Sequence, residues 1–462
     1  MNIFVNSNRS ELSALRGLFL PLLFLSLILM GFKSDRNRGQ TTQSPNIILI
    51  MTDDQGFETI GAYGGESYQT PVLDNMAATG IRFDQAHATP VCTPTRLAIM
   101  SGKYNSRNYT EFGKMNPDVY TFGNLFQDAG YATFIGGKWQ LGGGLNAPYE
   151  FGFDEYALWQ LTRRPNRYPN PGLEINGEEV DFKNGEYGPD IINSHVLDFI
   201  DRHEDEPFFV YYPMNLTHWP FEPTPDSRDW DPTLRRDHEQ EKVIPGLHTE
   251  PKYFGDMVQY ADKLVGKVIS KLEELELREN TLIIFTSDNG TARGVSSKID
   301  GEEFIGAKLS STEAGTHVAL IANWPGVIPE GLVNNDLIGF TYFFPTLAAV
   351  AGIEIPEDLD LDGESFAPIL YGDDTDLRDW LYMWWYRNND PEGPGDEFAR
   401  THRYKYYRDG RFYDLSKDPL EENSPISVDR LSGKQKKVQL KLQKIIDKNT
   451  RPGFYDNQIK SD

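Results

Sequence analysis

Apolar positions along this chain gather into short unbroken runs separated by polar, glycine-rich stretches. The run Pro45-Asn46-Ile47-Ile48-Leu49-Ile50-Met51 is continuous and β-branched, which predicts a strand buried on both faces. Similar strand-like runs recur at Pro207–Tyr212, Thr281–Phe285 and Val318–Ala322. A helix is predicted from about Thr121 to Ala129, stopped at Gly130, with a strand after it that releases Lys138 near its end. From about Thr375 the pattern changes. Trp380–Tyr386 and Arg403–Tyr407 are aromatic, strand-like runs, and the turn Arg408-Asp409-Gly410 joins the second to Phe412–Leu415 as a hairpin. A lysine- and leucine-rich helix follows, from about Ser432 to Asn449. This part reads as a small antiparallel sheet with a helix, packed on the main domain. There is no internal repeat and no low-complexity segment.

Ahead of these elements, an apolar run from Leu18 to Met30 lies between Arg9 and Arg16 on one side and Lys33, Asp35, Arg36 and Arg38 on the other. It is short for a membrane span, and its length and basic flank match a secretory signal. No cysteine follows it to carry a lipid. No small-x-small cleavage site is evident, so cleavage and retention as an anchor both stay open. The expected division is 1–32 signal peptide or N-terminal anchor, 33–44 linker, 45–374 main domain and 375–462 small C-terminal subdomain. The expected location is outside the cytoplasm, periplasmic or extracellular.

Composition narrows the function classes. The 462 residues carry a formal charge of −24, which argues against nucleic-acid binding and for a soluble, self-repelling surface. An anionic substrate is still compatible, because a pocket's local field decides binding. Hydrophobic residues make up 39% of the chain, enough for a large globular core. Cys92 is the single cysteine, so no intramolecular disulfide is possible.

Candidate chemistry sits where the strand runs end. Ile47–Met51 passes into Thr52-Asp53-Asp54-Gln55-Gly56, and Thr281–Phe285 passes into Thr286-Ser287-Asp288-Asn289-Gly290. Side chains alternate along a strand, so adjacent carboxylates converge only where the strand ends and turns. That edge is where open α/β sheets bind ligands. Adjacent aspartates are often just a polar loop, but here each end supplies a partner for the other. Asp53, Asp54, Asp288 and Asn289 offer only oxygen, which suits a hard divalent cation such as calcium or magnesium.

Cys92 is either an inert buried thiol or a chemically used one. Pro94 fixes a turn, and Arg96 places a cation about one helical turn further on, if a helix begins there. A nucleophile near a helix N-terminus and beside a guanidinium is suited to an anion. His218 follows a strand end as the aspartates do, whereas His195, His203, His238 and His248 read as structural. Arg163-Arg164-Pro165-Asn166-Arg167 is a basic island in a Pro/Asn-rich loop. It either holds a second sulfate or carboxylate of a polymeric substrate or is a plain solvated loop. The charged, proline-rich stretch Phe221–Pro251 reads as an insertion on the pocket side.

Cys92-Thr93-Pro94-Thr95-Arg96 resembles the C-x-P-x-R signature of the formylglycine-dependent sulfatases, the type I, arylsulfatase-like members of the alkaline phosphatase superfamily. The likeness extends to Asp53-Asp54, Gly136-Gly137-Lys138-Trp139-Gln140, His218, Asp288-Asn289, Gly306–His317 and Ser416–Asn423, in family order, and covers about Pro45 to Asn423. It implies an α/β fold: an alkaline-phosphatase-like sandwich with a large central, mostly parallel sheet between helices, plus the small C-terminal antiparallel sheet with a helix. The implied activity is hydrolysis of a sulfate ester, with a sulfated carbohydrate as the expected substrate. A formylglycine-generating enzyme would oxidise Cys92 to formylglycine (3-oxoalanine), whose hydrated aldehyde attacks sulfur. Asp53, Asp54, Asp288 and Asn289 would ligate calcium, magnesium being the less expected ion. With the cation, Arg96, Lys138 and Lys308 would stabilise the transferring group, and Lys308 or His218 would protonate the departing alcohol.

Two positions depart from the family. Gln140 stands where the family usually has a histidine that helps expel the sulfate, and glutamine takes no proton near neutral pH. His317 stands where arginine is common. Gln140 and His317, with Arg163 and Arg164 of the basic island, are assigned to substrate binding. Two other readings compete: a phosphonate monoester or phosphodiester hydrolase on the same scaffold, and a sulfated-glycan-binding relative of low turnover, which Gln140 motivates.

Overall fold

A computed structural model describes residues 44–233 and 251–456. Strand β1 (Asn46–Thr52) is buried along its whole length. Ile47, Leu49 and Met51 enter one hydrophobic core and Ile48 and Ile50 another. A strand whose two faces feed two cores has no place for a polar alternation, hence the unbroken run.

The large sheet contains β1, β2 (Ile81–His87), β3 (Ala132–Lys138), β4 (Glu155–Trp159), β5 (Gly172–Ile175), β6 (Glu178–Asp181), β7 (Phe208–Pro213) and β8 (Thr281–Ser287). A hairpin of β9 (Ser296–Ile299) and β10 (Glu302–Ile305) stands apart, and β11 (His317–Asn323), β12 (Leu332–Asn334) and β13 (Ile338–Gly339) complete the sheet. Its order is β12-β2-β11-β8-β1-β7-β3-β4-β5-β6, with β13 also on β2, eleven strands in all. The central four, β8, β1, β7 and β3, are mutually parallel, as is β4. Antiparallel pairings occur at β11 and in the β4-β5-β6 flank.

Helices cover both faces. Cys92–Ser101, Phe122–Asp128 and Phe343–Ala351 contribute Leu97, Phe126 and Leu347 to the first core. Pro71–Ala78, Gly188–Arg202 and Phe254–Glu274 contribute Met76, Phe199 and Leu264 to the second. The helix expected at Thr121–Ala129 starts with Thr121 as a capping box to Asn124 and stops before Gly130, whose φ of 83° ends it.

The C-terminal sheet is antiparallel in the order β14 (Leu381–Tyr386), β15 (Gly395–Arg400), β16 (Tyr404–Tyr407) and β17 (Phe412–Asp414). β15 was not readable from the sequence: Gly395-Asp396-Glu397 opens it with a polar run that only pairing with β14 makes extended. The last helix, Gly433–Asn449, is capped by Ser432 and packs through Leu442, Ile445 and Ile446. These residues join the same core as the large sheet, and the described residues from Ser44 onward form one compact unit. The expected signal or anchor segment 1–32 lies outside the described residues, as do 33–43 and residues 234–250 of the charged proline-rich stretch.

Candidate active site

Parallel neighbours end at the same edge, so the ends of β1, β8, β3 and β7 meet, and the polar cluster forms there. Asp53 and Asp54 follow β1; Asp54 takes φ 64°, a left-handed turn that aspartate tolerates better than most residues. Asp288 and Asn289 follow β8, and the two loops are tied: Asp54 N–H donates to Asp288 Oδ1 at 3.2 Å and Asn289 Nδ2 donates to Asp54 Oδ1 at 2.9 Å. The loop after β7 is strapped to the first by Asp53 N–H to Leu216 O and Thr217 N–H to Asp53 O, both 2.8 Å. Gly137 lets β3 run close beside this loop, because a Cβ there would fall 1.8 Å from Pro213 O.

Cys92 is the first residue of its helix and is buried. Its Sγ lies 3.3 Å from Lys138 Nζ, 3.5 Å from Lys308 Nζ and 3.5 Å from Asp53 Oδ1. Arg96, one turn along, donates to Asp288 Oδ2 at 2.8 Å and to Lys138 O at 2.7 Å. Lys138 Nζ is 2.6 Å from Asp53 Oδ2, and Lys308 Nζ is 2.5 Å from Asp54 Oδ1. Three carboxylates and three cations thus surround one sulfur atom. His218 Nε2 stands 3.7 Å from Asp54 Oδ2, at the rim.

Burial and charge compete strongly here. Burial raises Cys92 to about 12, and Asp288 adds to the rise, so the sulfur is a neutral thiol at ordinary pH and a poor nucleophile. Burial also raises Asp54, and it raises Asp288 to about 6. For Asp53 burial is outweighed by Lys138, His218 and Arg96, which hold the carboxyl well below its ordinary value. For Lys308 burial is outweighed by Asp54, and the ammonium is raised. Burial lowers His218 well below its ordinary value, so the ring is neutral.

The donor set fits a divalent cation. Asp53, Asp54 and Asp288 are buried, and Asn289 Oδ1 is buried with no hydrogen-bond partner among the described residues. One ligand atom each from Asp53, Asp54, Cys92 and His218 lies within 4.8 Å of the others. Two carboxyls that burial pushes toward neutrality, beside an orphaned amide oxygen, are groups a hard cation would hold ionised and satisfied.

The remaining substrate-binding expectations fare differently. Gln140, two residues beyond β3, is buried at φ 55° with Oε1 unpartnered among the described residues. Among the described residues, no contact brings His317 to the cluster. Its Nε2 meets Asp84 O at 3.0 Å, its Nδ1 faces Glu313 at 3.4 Å, and its ring stacks on Phe57. That places it among structural contacts, since it opens β11 and its side chain is consumed by the neighbouring elements. Arg163 is also held elsewhere, by Glu174 at 3.2 Å and Asp181 at 2.6 Å on the β5-β6 flank. Arg164 lies over the Trp159 ring at 5.8 Å.

The arginine of the island that reaches the site is Arg167. Its guanidinium lies 3.9 Å over the Trp159 ring and 2.8 Å from His218 Nδ1, and the side chain is buried. Nothing in the sequence of the island separates Arg167 from Arg163 and Arg164; in the fold it stands beside Tyr168, whose hydroxyl donates to Asn215 O at 3.0 Å. Gln55 and Asn215 are two further polar residues that no motif marks. Both are buried, with side-chain oxygen and nitrogen unpartnered among the described residues, one directly after Asp54 and one three residues before His218.

A buried carboxylate set facing three cations, at the carboxyl edge of a mostly parallel sheet, is the equipment of an enzyme that works on a tetrahedral anion. The comparisons say which. Residues 45–353 match the sulfatase family and 307–449 match the C-terminal region of N-sulphoglucosamine sulphohydrolase. N-acetylgalactosamine-6-sulfatase of Canis lupus familiaris is 32% identical over 74% of this chain and 68% of that protein. N-acetylgalactosamine-6-O-sulfatase of Bacteroides thetaiotaomicron is 27% identical over 88% and 94%. The crystal structure of Ps i-CgsB in complex with k-i-k-neocarrahexaose gives a TM-score of 0.73 at 25% identity, covering 89% of this chain and 94% of that one. The chain belongs to the sulfatase family, as a type I sulfatase of the alkaline phosphatase superfamily, and is a sulfuric ester hydrolase.

Proposed function

We propose that this chain hydrolyses a sulfate ester of a sulfated carbohydrate, with an aldehyde made from Cys92 by a formylglycine-generating enzyme and a calcium ion held by Asp53, Asp54, Asp288 and Asn289. The observation that carries the reading is the placing of Cys92 Sγ between Lys138 Nζ and Lys308 Nζ, at 3.3 and 3.5 Å. The names of the relatives, which act on N-acetylgalactosamine 6-sulfate groups, support a sugar substrate. When present, the aldehyde hydrate supplies a nucleophilic oxygen and the cation supplies positive charge at the sulfate.

The chain's own residues do the rest. Lys138 and Lys308 flank position 92 and take the sulfate oxygens, each paired with an aspartate, Asp53 at 2.6 Å and Asp54 at 2.5 Å. Arg96 fixes Asp288 and adds positive charge, and both effects act inside a water-poor site where they are strongest. Lys308, as a charged ammonium beside position 92, is the group that would hand a proton to the departing oxygen, and the neutral His218 would contribute a hydrogen bond at the rim. Because Gln140 takes no proton near neutrality, the group that restores position 92 after transfer must be another. The low-turnover sulfated-glycan-binding reading that Gln140 motivates is not favoured by the relatives, which are named sulfatases. Export across a membrane, by the apolar segment 18–30, is part of the proposal.

The test is the mass of the peptide carrying Cys92, taken from protein made in its own host, together with initial rates on matched aryl sulfate and aryl phosphonate esters. The aldehyde form with sulfate preference supports the reading. An unmodified thiol in a host that modifies other such motifs, or a phosphonate preference, overturns it.

A further inference from the structure

The helix Gly433–Asn449 is positively charged in a negatively charged protein. It carries Lys434, Lys436, Lys437, Lys441, Lys444 and Lys448 against a single acid, Asp447, while the whole chain stands at −24. Its apolar side is spent on the core through Leu442, Ile445 and Ile446. Lys437, Lys441, Lys444 and Lys448 follow one another at i, i+4, i+7 and i+11 and so share a face. At about 1.5 Å per residue the row is about 16 Å long.

That face borders an open groove of about 600 Å³ whose walls are these four lysines with Trp380, Leu440, Ile445 and Asn449. Leu440 is 48% exposed, an uncommon position for a large apolar side chain on this surface. Lys441 is neutralised by Asp379, at 2.6 Å. Lys437, Lys444 and Lys448 have no carboxylate partner among the described residues, and Asp447 accepts from Gln443 and from none of the lysines. A helix face that is merely solvated intersperses acids at i±4 to offset such a row; here like charges sit at i,i+4 twice, which weakens a helix on its own.

We propose that this groove is a non-catalytic docking site for a polysulfated glycan chain, with sulfates along Lys437, Lys444 and Lys448 and a sugar ring against Trp380. The proposal rests on the reading that the substrate is a sulfated carbohydrate. Charge complementarity selects the occupant. The chain as a whole is strongly negative, and at physiological salt charges act over about 8 Å, so a local basic row governs where a polyanion lands. An aromatic and an exposed leucine amid the lysines suit a sugar polymer carrying anions. Held there, a polymer would present its esters to the active site at raised local concentration.

The experiment uses the full chain and the triple variant Lys437→Gln, Lys444→Gln, Lys448→Gln, with helical content checked by circular dichroism. Binding of dextran sulfate, unsulfated dextran, polyglutamate and phosphatidylglycerol vesicles is measured, beside turnover of an aryl sulfate. The proposal expects dextran sulfate to bind most tightly, the triple variant to bind it at least tenfold more weakly with a shallower salt dependence, and aryl sulfate turnover to be unchanged. Trp380→Ala is expected to weaken dextran sulfate binding while leaving polyglutamate unaffected. Equal binding by the triple variant, equal binding of polyglutamate, or binding confined to vesicles overturns it. Loss of dextran sulfate binding in the variant of a protein that turns over no aryl sulfate leaves the docking site standing and sinks the catalytic reading instead.

Discussion

Arg96 donates to Asp288 at 2.8 Å across 192 residues of sequence, and both side chains are essentially inaccessible to water. Breaking one side of a buried pair strands the other charge, which costs about 3–5 kcal/mol. Arg96→Ala is therefore expected to lower the free energy of unfolding by that order and to abolish sulfate release. Arg96→Lys should keep more of the stability and still lose most activity, because an ammonium cannot reach both Asp288 and Lys138 O. Urea denaturation and an aryl sulfate assay read the two effects; an Arg96→Ala protein of unchanged stability would refute the pairing argument.

Removal of divalent ions should weaken the fold as well as the chemistry. A cation bound only by the native state stabilises by about 2.7 kcal/mol at a hundredfold excess over Kd. Chelator-treated protein should melt lower than protein with added calcium, and the difference should vanish in Asp54→Ala. Equal calcium response in that variant would place the ion elsewhere.

Arg167 acts through His218, to whose Nδ1 it is 2.8 Å away while it lies over Trp159. Losing a charge-assisted hydrogen bond is worth about 1.5–3 kcal/mol, or roughly ten- to a hundredfold in rate. Arg167→Met is expected to lower kcat by that factor with little change in KM, and Arg167→Lys to recover part of it. A rise in KM alone would make Arg167 a substrate contact rather than a positioning residue.

Gln140 offers a buried amide oxygen, unpartnered among the described residues, where a proton acceptor is expected. A positioned base contributes about a hundredfold or more. Gln140→His should raise steady-state kcat at least tenfold. No gain would mean that another group already serves, and would remove the reason for the low-turnover reading.

Glu58 is buried behind the Asp53–Gly56 loop, bonded to the Thr291 hydroxyl, and burial raises its carboxyl from 4.5 to about 7. The folded state therefore holds this proton more tightly than the unfolded chain does. Stability from this group is full below pH 4.5 and is lost as pH rises through 7. Glu58→Gln removes the titration and should be more stable than the parent at pH 8 by roughly 3 kcal/mol, with the two converging below pH 4.5. Parallel stability curves across that range would contradict the assignment.

The sequence by itself determined the strands that carry the chemistry and the residues at their ends. Runs such as Ile47–Met51 and Leu282–Phe285 are local statements about burial, and Asp53, Asp54, Asp288 and Asn289 announce themselves by following two matched runs. The C-x-P-x-R stretch likewise names Cys92 and Arg96 without any fold. Only the tertiary structure decided which other side chains belong with them. Arg163, Arg164 and Arg167 look alike in sequence, yet Glu174 and Asp181 hold the first, and Trp159 and His218 hold the third. His317 reads as a pocket histidine until Asp84, Glu313 and Phe57 are found around it. β15 is extended because β14 and β16 pair with it, not because its residues prefer to be. The reason is the same in each case. Periodicity and propensity are properties of neighbours along the chain, whereas a long side chain's partner is set by which distant elements the sheet order brings within its reach.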